Sequence, residues 1–167
     1  GTLPMQTATP GRVRNACCVY APDGALAARY DKIHLFRYDN GRESYDEARV
    51  LDAGSQPVAL QAGSLRVGLS VCYDLRFPEL YRRLCTPPCD LLSVPSAFTY
   101  TTGRAHWELL LRARAVRRMS PRGPRAAIGA SSRSWLPLSL RQGTSTVEPV
   151  VRRASRSRCA SAASASV

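Results

Sequence analysis

The sequence predicts an α/β fold built as one ordinary domain, and three observations carry that expectation. Strand and helix signals alternate along the first two thirds of the chain, which argues for a layer of helices on a sheet. A chain of 167 residues with 44% hydrophobic content is long enough and apolar enough for a real core. Composition then breaks near residue 118: up to that point 16 basic residues face 11 acids, whereas residues 119–167 hold eight arginines, eleven serines, eight alanines and one acid, Glu148. The expected organisation is therefore a domain over 1–118 and a low-complexity Arg/Ser/Ala-rich tail over 119–167 that is disordered.

Each element has its local reason. The stretch NACCVY reads as a strand, APDG as a turn with Pro22 and Gly24 suitably placed, and ALAARYDKIHLF as the returning strand, which delivers Lys32 and His34. From Arg37 to Pro57 the chain is polar and turn-rich, the profile of a surface or site-lining loop. SLRVGLSV is the next strand, PELYRRL a helix, DLLSVPSAF a third strand leaving through Pro95, and GRAHWELLLRARAVRR a long helix. In that helix Trp107, Leu110, Leu111 and Ala115 approximate an apolar face, while Arg112, Arg114, Arg117 and Arg118 read as a solvated one.

Charge and cysteine usage bound the setting. The net charge is +12, and of the 24 basic residues only Lys32 is a lysine, a bias that reads as codon composition rather than selection for charge. Neither a charged-then-apolar leader nor a span of about 18 apolar residues is present, so a soluble cytoplasmic protein without a membrane partner is expected. The adjacent Cys17 and Cys18 would point to opposite faces of a strand, and the chain exceeds disulfide-miniprotein size, so reduced thiols are expected.

Two residues stand out chemically. Cys72 sits where the run from Leu65 stops and Phe77-Pro78-Glu79 looks like a first helical turn. A thiol at such a strand-to-helix elbow feels the partial positive charge of unpaired backbone N–H groups, which favours the nucleophilic thiolate. The N–H groups of Cys72 and Tyr73 are also placed to receive the oxygen of a tetrahedral intermediate. Position alone favours a buried inert cysteine. Lys32 shifts that balance, because a lysine in an otherwise apolar strand of an arginine-rich chain brings a compact charge that can approach a reacting atom and give up a proton.

Taken together, YDKIHLF, VCYDLRFPEL, PSAF and TGRAHWELLLRARAV resemble the nitrilase superfamily of carbon-nitrogen hydrolases, and within it the amidase branch of omega-amidase and deaminated-glutathione amidase. The resemblance spans about residues 11–118 and implies a partial αββα sandwich carrying a Glu-Lys-Cys triad. It matches Cys72 to the nucleophile, Lys32 to the triad lysine and Glu47 to a further glutamate that supports the lysine. Tyr73 and Phe98 are implied as walls of a small acyl pocket. The implied reaction is hydrolysis of a small carboxylate-bearing amide through a thioester, by a homodimer that uses no cofactor.

Two departures qualify it. The triad glutamate has no match, since Gly1 to Pro10 contains no acid. A positioned base contributes about 10²- to 10⁴-fold in rate, so the chain as written is expected to be N-terminally truncated and a poor catalyst. Past Arg117-Arg118 the Arg/Ser/Ala texture replaces the apolar strand that the family would enter, as a shifted reading frame would produce.

Lesser features have plainer readings. Cys85 and Cys89 in CTPPC lack the further ligands of a metal site, so no metal is expected. His106 and Glu108 brace neighbouring loops, and Arg76 and Glu79 form an i,i+3 ion pair. Two rival readings remain: a basic protein that binds nucleic acid without sequence specificity, on the +7 of residues 119–167, or a non-functional truncated product.

Overall fold

The computed structural model describes residues 1–116 and 128–129. Its first sheet has the order β1-β2-β3, with β1 Leu3–Gln6, β2 Val13–Tyr20 and β3 Leu26–Asp31 all antiparallel. The β2–β3 hairpin closes at the expected turn, where Gly24 takes φ +85° and donates to the Ala21 carbonyl at 2.9 Å. Strand β1 has no counterpart in the sequence reading. It is a four-residue edge strand containing Pro4, a residue tolerated only where one side of the ladder is free.

The returning strand stops at Asp31, earlier than the sequence suggests. The Lys32 N–H still bonds to the Asn15 carbonyl at 2.9 Å, but its own carbonyl is claimed by the Gly54 N–H at 2.8 Å, and the chain peels away there. Within the polar 37–57 segment, β4 Arg37–Asp39 and β5 Ser44–Asp46 pair around a turn in which Asn40 Oδ1 accepts from the N–H groups of Arg42 and Glu43 at 2.9 and 2.7 Å. A 3-10 turn, Glu47–Arg49, follows, capped by Asp46 through the Ala48 N–H at 3.0 Å.

The second sheet has the order β6-β7-β8-β9. Strands β6 Val58–Ala62 and β7 Leu65–Leu69 form a hairpin, while β8 Leu91–Ser93 and β9 Ile128–Gly129 add in parallel. Ile128 and Gly129 belong to the segment read as tail; the remainder of 117–167 lies outside the described residues. Helix α1, Pro78–Leu84, connects β7 to β8 with proline in its first turn. Gly68 leaves room for two side chains to settle on β7: a Cβ there would stand 2.9 Å from Leu92 Cδ2 and 3.2 Å from Cys89 Sγ. One core results, in which Cys17 and Tyr30 of the first sheet join Leu69 and Leu92 of the second and Leu80, Tyr81 and Leu84 of α1. All five described cysteines are free thiols, Cys17 buried and Cys18 partly exposed, as alternation across a strand requires.

Helix α2, Tyr100–Val116, starts three residues before the expected Gly103, because Thr99 accepts from the Thr102 N–H through Oγ1 at 3.3 Å and from the Gly103 N–H through its carbonyl at 2.7 Å. Trp107, Leu110, Leu111 and Ala115 form its half-buried face. Arg114 corrects the solvated-arginine reading. Its Nε and Nη2 both donate to the Leu75 carbonyl at 3.1 Å, and its guanidinium lies 5.3 Å from the Tyr81 ring centre. No helix of the described residues is long and apolar enough to cross a membrane.

Arg114 is thus the polar rivet that docks α2. Replacing it by alanine orphans a backbone carbonyl of the core and removes a charge-assisted bond, a loss of about 1.5–3 kcal/mol. In urea denaturation the midpoint of Arg114→Ala should fall while the slope stays unchanged. Arg112→Ala, which breaks only an exposed i,i+4 pair with Glu108, should leave the midpoint nearly where it was.

Candidate active site

Cys72 occupies a bend with φ +48°, the left-handed region that a non-glycine residue enters at a cost of roughly 1–3 kcal/mol. The strand before it arrives through Ser70, whose N–H bonds to the Ser93 carbonyl at 3.0 Å, and the Cys72 N–H bonds to the Pro95 carbonyl at 2.9 Å. The elbow therefore exists as the sequence suggests, with two corrections. The thiol heads a 3-10 turn, Cys72–Arg76, and α1 begins only at Pro78, so the dipole of a full helix is not behind it. The Cys72 N–H is also committed to Pro95, so it is not free to receive an oxyanion.

Lys32 is 1% exposed, and burying an ammonium that deeply requires a partner. Glu47 supplies it, with Nζ 2.5 Å from Oε2. The same oxygen accepts the Phe36 N–H at 2.7 Å, so the carboxylate is held from two directions. Two packing devices bring Glu47 to Lys32. Gly54 approaches the end of β3 so closely that a Cβ would clash with the Asp31 carbonyl. Arg12 grips the turn after Glu47, bonding the carbonyls of Ala48 at 2.8 Å, Arg49 at 3.2 Å and Leu51, together with the Asp52 carboxylate.

These groups converge on one cavity of about 340 Å³, lined by Cys72, Lys32, Glu47, Tyr73, Phe98 and Arg76 among others. All five residues singled out from sequence thus meet in one place. Tyr73 packs edge-on against Phe36 with ring centres 5.1 Å apart, and Phe98 packs edge-on against Trp107 at 5.0 Å. Among the described residues, Glu47 is the one carboxylate in the lining.

Arg76 is what sequence reasoning missed. Glu79, its supposed partner, pairs with Arg82 at 2.9 Å on the surface. Arg76 instead sits between the rings of Tyr73 and Phe98, 5.8 and 5.6 Å from their centres, with Nη2 3.2 Å from His106 Nδ1. The spacing of Arg76 four residues after Cys72 was a usable signal, hidden by the general excess of arginine. His106 does brace a neighbour, whereas Glu108 pairs along its own helix with Arg112 at 2.6 Å.

Away from the cavity, Cys85 and Cys89 lie in the core. The Cys89 thiol donates to the Leu84 carbonyl at 3.1 Å. No group of three metal-ligating side chains occurs among the described residues.

Comparison with known proteins agrees with this geometry. The sequence pattern of the family described as carbon-nitrogen hydrolase matches residues 1–137. Omega-amidase NIT2 of Homo sapiens is 45% identical over 117 residues, which is 70% of this chain and 42% of that protein. Nit3 of Saccharomyces cerevisiae, a member of branch 10 of the nitrilase superfamily, superimposes with a TM-score of 0.65 at 28% identity, covering 81% of this chain and 45% of that one. A point mutant of the amidase from Nesterenkonia sp. AN1, carrying the acetamide moiety of fluoroacetamide on its active-site cysteine, superimposes at 0.60 with 26% identity, covering 77% and 45%. The chain spans less than half the length of these relatives. An elbow cysteine and a buried lysine opening on one cavity, within a fold and sequence pattern shared with these proteins, place the chain in the carbon-nitrogen hydrolase family.

Proposed function

We propose that the cavity binds a small amide bearing a carboxylate and that Cys72 hydrolyses it through a thioester. The observation that carries the reading is the convergence of a strained thiol, a buried ammonium and a guanidinium without an ion-pair partner among the described residues on one space of about 340 Å³. Cys72 Sγ attacks the amide carbonyl, and the carbonyl oxygen takes up the negative charge. Lys32 Nζ, fixed by Glu47, and the Tyr73 N–H stabilise that oxygen. Collapse breaks the C–N bond, ammonia leaves with the proton given up by the thiol, and water cleaves the thioester to release the acid.

Arg76 holds the substrate's carboxylate. Among the described residues it makes no ion pair, and the two rings flanking it fix its plane, which is what bidentate carboxylate recognition requires. Tyr73 and Phe98 enclose the chain between the two ends of the substrate. Glu47 is occupied by Lys32 and Phe36, so among the described residues of the lining no second carboxylate carries the proton from thiol to leaving nitrogen, which favours slow turnover. We place the protein in the cytoplasm as a homodimer; the five unbridged cysteines among the described residues support a reducing compartment, and the homodimer rests on the resemblance to the amidase branch.

Two measurements test this reading. Mass-spectrometric mapping of iodoacetamide labelling should find Cys72 modified ahead of the partly exposed Cys18, and Lys32→Met should slow Cys72 alone. Equal rates at the two thiols would overturn the nucleophile assignment. In an ammonia-release assay, Arg76→Met should raise KM for succinamate about tenfold or more and leave kcat/KM for the neutral propionamide nearly unchanged. Equal loss on both amides would remove Arg76 from substrate recognition.

A further inference from the structure

Asp74 is fully buried, the one carboxylate among the described residues to be so, and it lies outside the cavity lining. Its two oxygens accept four hydrogen bonds, the full complement of a carboxylate. Oδ1 takes the His34 N–H at 3.0 Å and His34 Nδ1 at 2.7 Å; Oδ2 takes the Tyr30 hydroxyl at 2.7 Å and the Val71 N–H at 2.8 Å. Because a carboxylate only accepts, His34 must carry its proton on Nδ1, and the ring is pinned further by stacking on Phe77 at 3.7 Å. Burial and the Asp74 charge push the Tyr30 phenol up, so it remains a donor, and its oxygen in turn accepts the Ile33 N–H at 3.3 Å.

The donors are not scattered. Tyr30, Ile33 and His34 straddle Lys32 in sequence, while Val71 immediately precedes Cys72. A single carboxylate thus ties the backbone on either side of the lysine to the backbone that enters the elbow. Glu47 fixes the Lys32 side chain from elsewhere; the Asp74 node hydrogen-bonds the lysine-bearing segment to the cysteine-bearing one.

We propose that Asp74 is a positioning residue, which sets the placement of the Lys32 ammonium relative to the Cys72 thiol and thereby the reactivity of that thiol. The inference rests on the reading of Cys72 as nucleophile and Lys32 as its charged neighbour. Asparagine has nearly the same shape but one acceptor oxygen and an NH₂ group. At position 74 it would set that NH₂ against either the two His34 donors or the Tyr30 and Val71 donors.

The test is the rate of Cys72 alkylation by iodoacetamide as a function of pH, read on the Cys72 peptide, in four proteins: the parent, Asp74→Asn, Lys32→Met and the double variant. Lys32→Met and Asp74→Asn should each slow Cys72 by about tenfold at neutral pH and move its profile toward higher pH. The double variant should be no slower than Lys32→Met alone, since the carboxylate acts through the lysine. A purely structural Asp74 would lower the melting temperature and leave the profile of the folded protein where it was, which would overturn the inference while leaving the nucleophile reading intact. Insensitivity to Lys32→Met would remove both. If Asp74→Asn shows no cooperative melt, Tyr30→Phe, which deletes one donor and keeps the ring, decides the matter: a slowing of about two- to threefold with the same direction of shift supports the inference, and an unmoved profile rejects it.

Discussion

The arrangement of the site depends on the burial of one ammonium group. At 1% exposure Lys32 has lost nearly all its water, and an isolated charge in that position would cost several kcal/mol. Glu47 is therefore obligatory, and the devices that fetch it follow from that need. The 3-10 turn presents Glu47, Arg12 just ahead of β2 holds the carbonyls of Ala48, Arg49 and Leu51, and Gly54 allows the returning loop to lie on the end of β3. Breaking the pair from either side is unequal: losing Glu47 strands a buried charge, whereas losing Lys32 leaves a carboxylate that is 29% exposed and still bonded to Phe36.

The elbow is the complementary constraint. A cysteine at φ +48° persists only where its surroundings over-determine it. Here the Ser70 and Cys72 N–H groups are taken by Ser93 and Pro95, and the Val71 N–H by Asp74. The bend is thus anchored to β8 and its exit on one side and to a fully satisfied carboxylate on the other. Strain at the thiol is offset by hydrogen bonds at both flanks, which is how a partly exposed side chain can be held at a surface of the core without collapsing into it.

Much of this was legible in the sequence, and the reasons are specific. The β2–β3 hairpin was announced by its turn chemistry, β7 and α1 by an apolar run followed by Phe-Pro-Glu, and α2 by its apolar spacing. Cys72 and Lys32 could be singled out because each is anomalous in its local context. What escaped notice lacked such contrast. Strands β1 and β6 are short and flank polar segments, the β4–β5 hairpin is built from polar residues, and the end of β3 at Asp31 is dictated by a bond from Gly54, far along the chain. Glu47 entered only through family resemblance, since nothing local distinguishes it from Glu43.

Arginine shows most clearly why the remainder could not be read. A chain with 24 basic residues of which one is lysine offers no compositional means of telling a solvated arginine from a working one. The difference lies wholly in partners. Arg112 meets Glu108 on an exposed helix face and Arg82 meets Glu79 likewise, so both are surface pairs worth little. Arg114 spends two donors on a buried carbonyl and is structural. Arg12 clamps a turn through its carbonyls and serves Glu47 at one remove. Arg76 alone of these five faces the cavity without a carboxylate, with its charge set against aromatic faces that attract it less strongly than an anion would. A cation in that position beside the elbow thiol carries a charge that no carboxylate among the described residues answers.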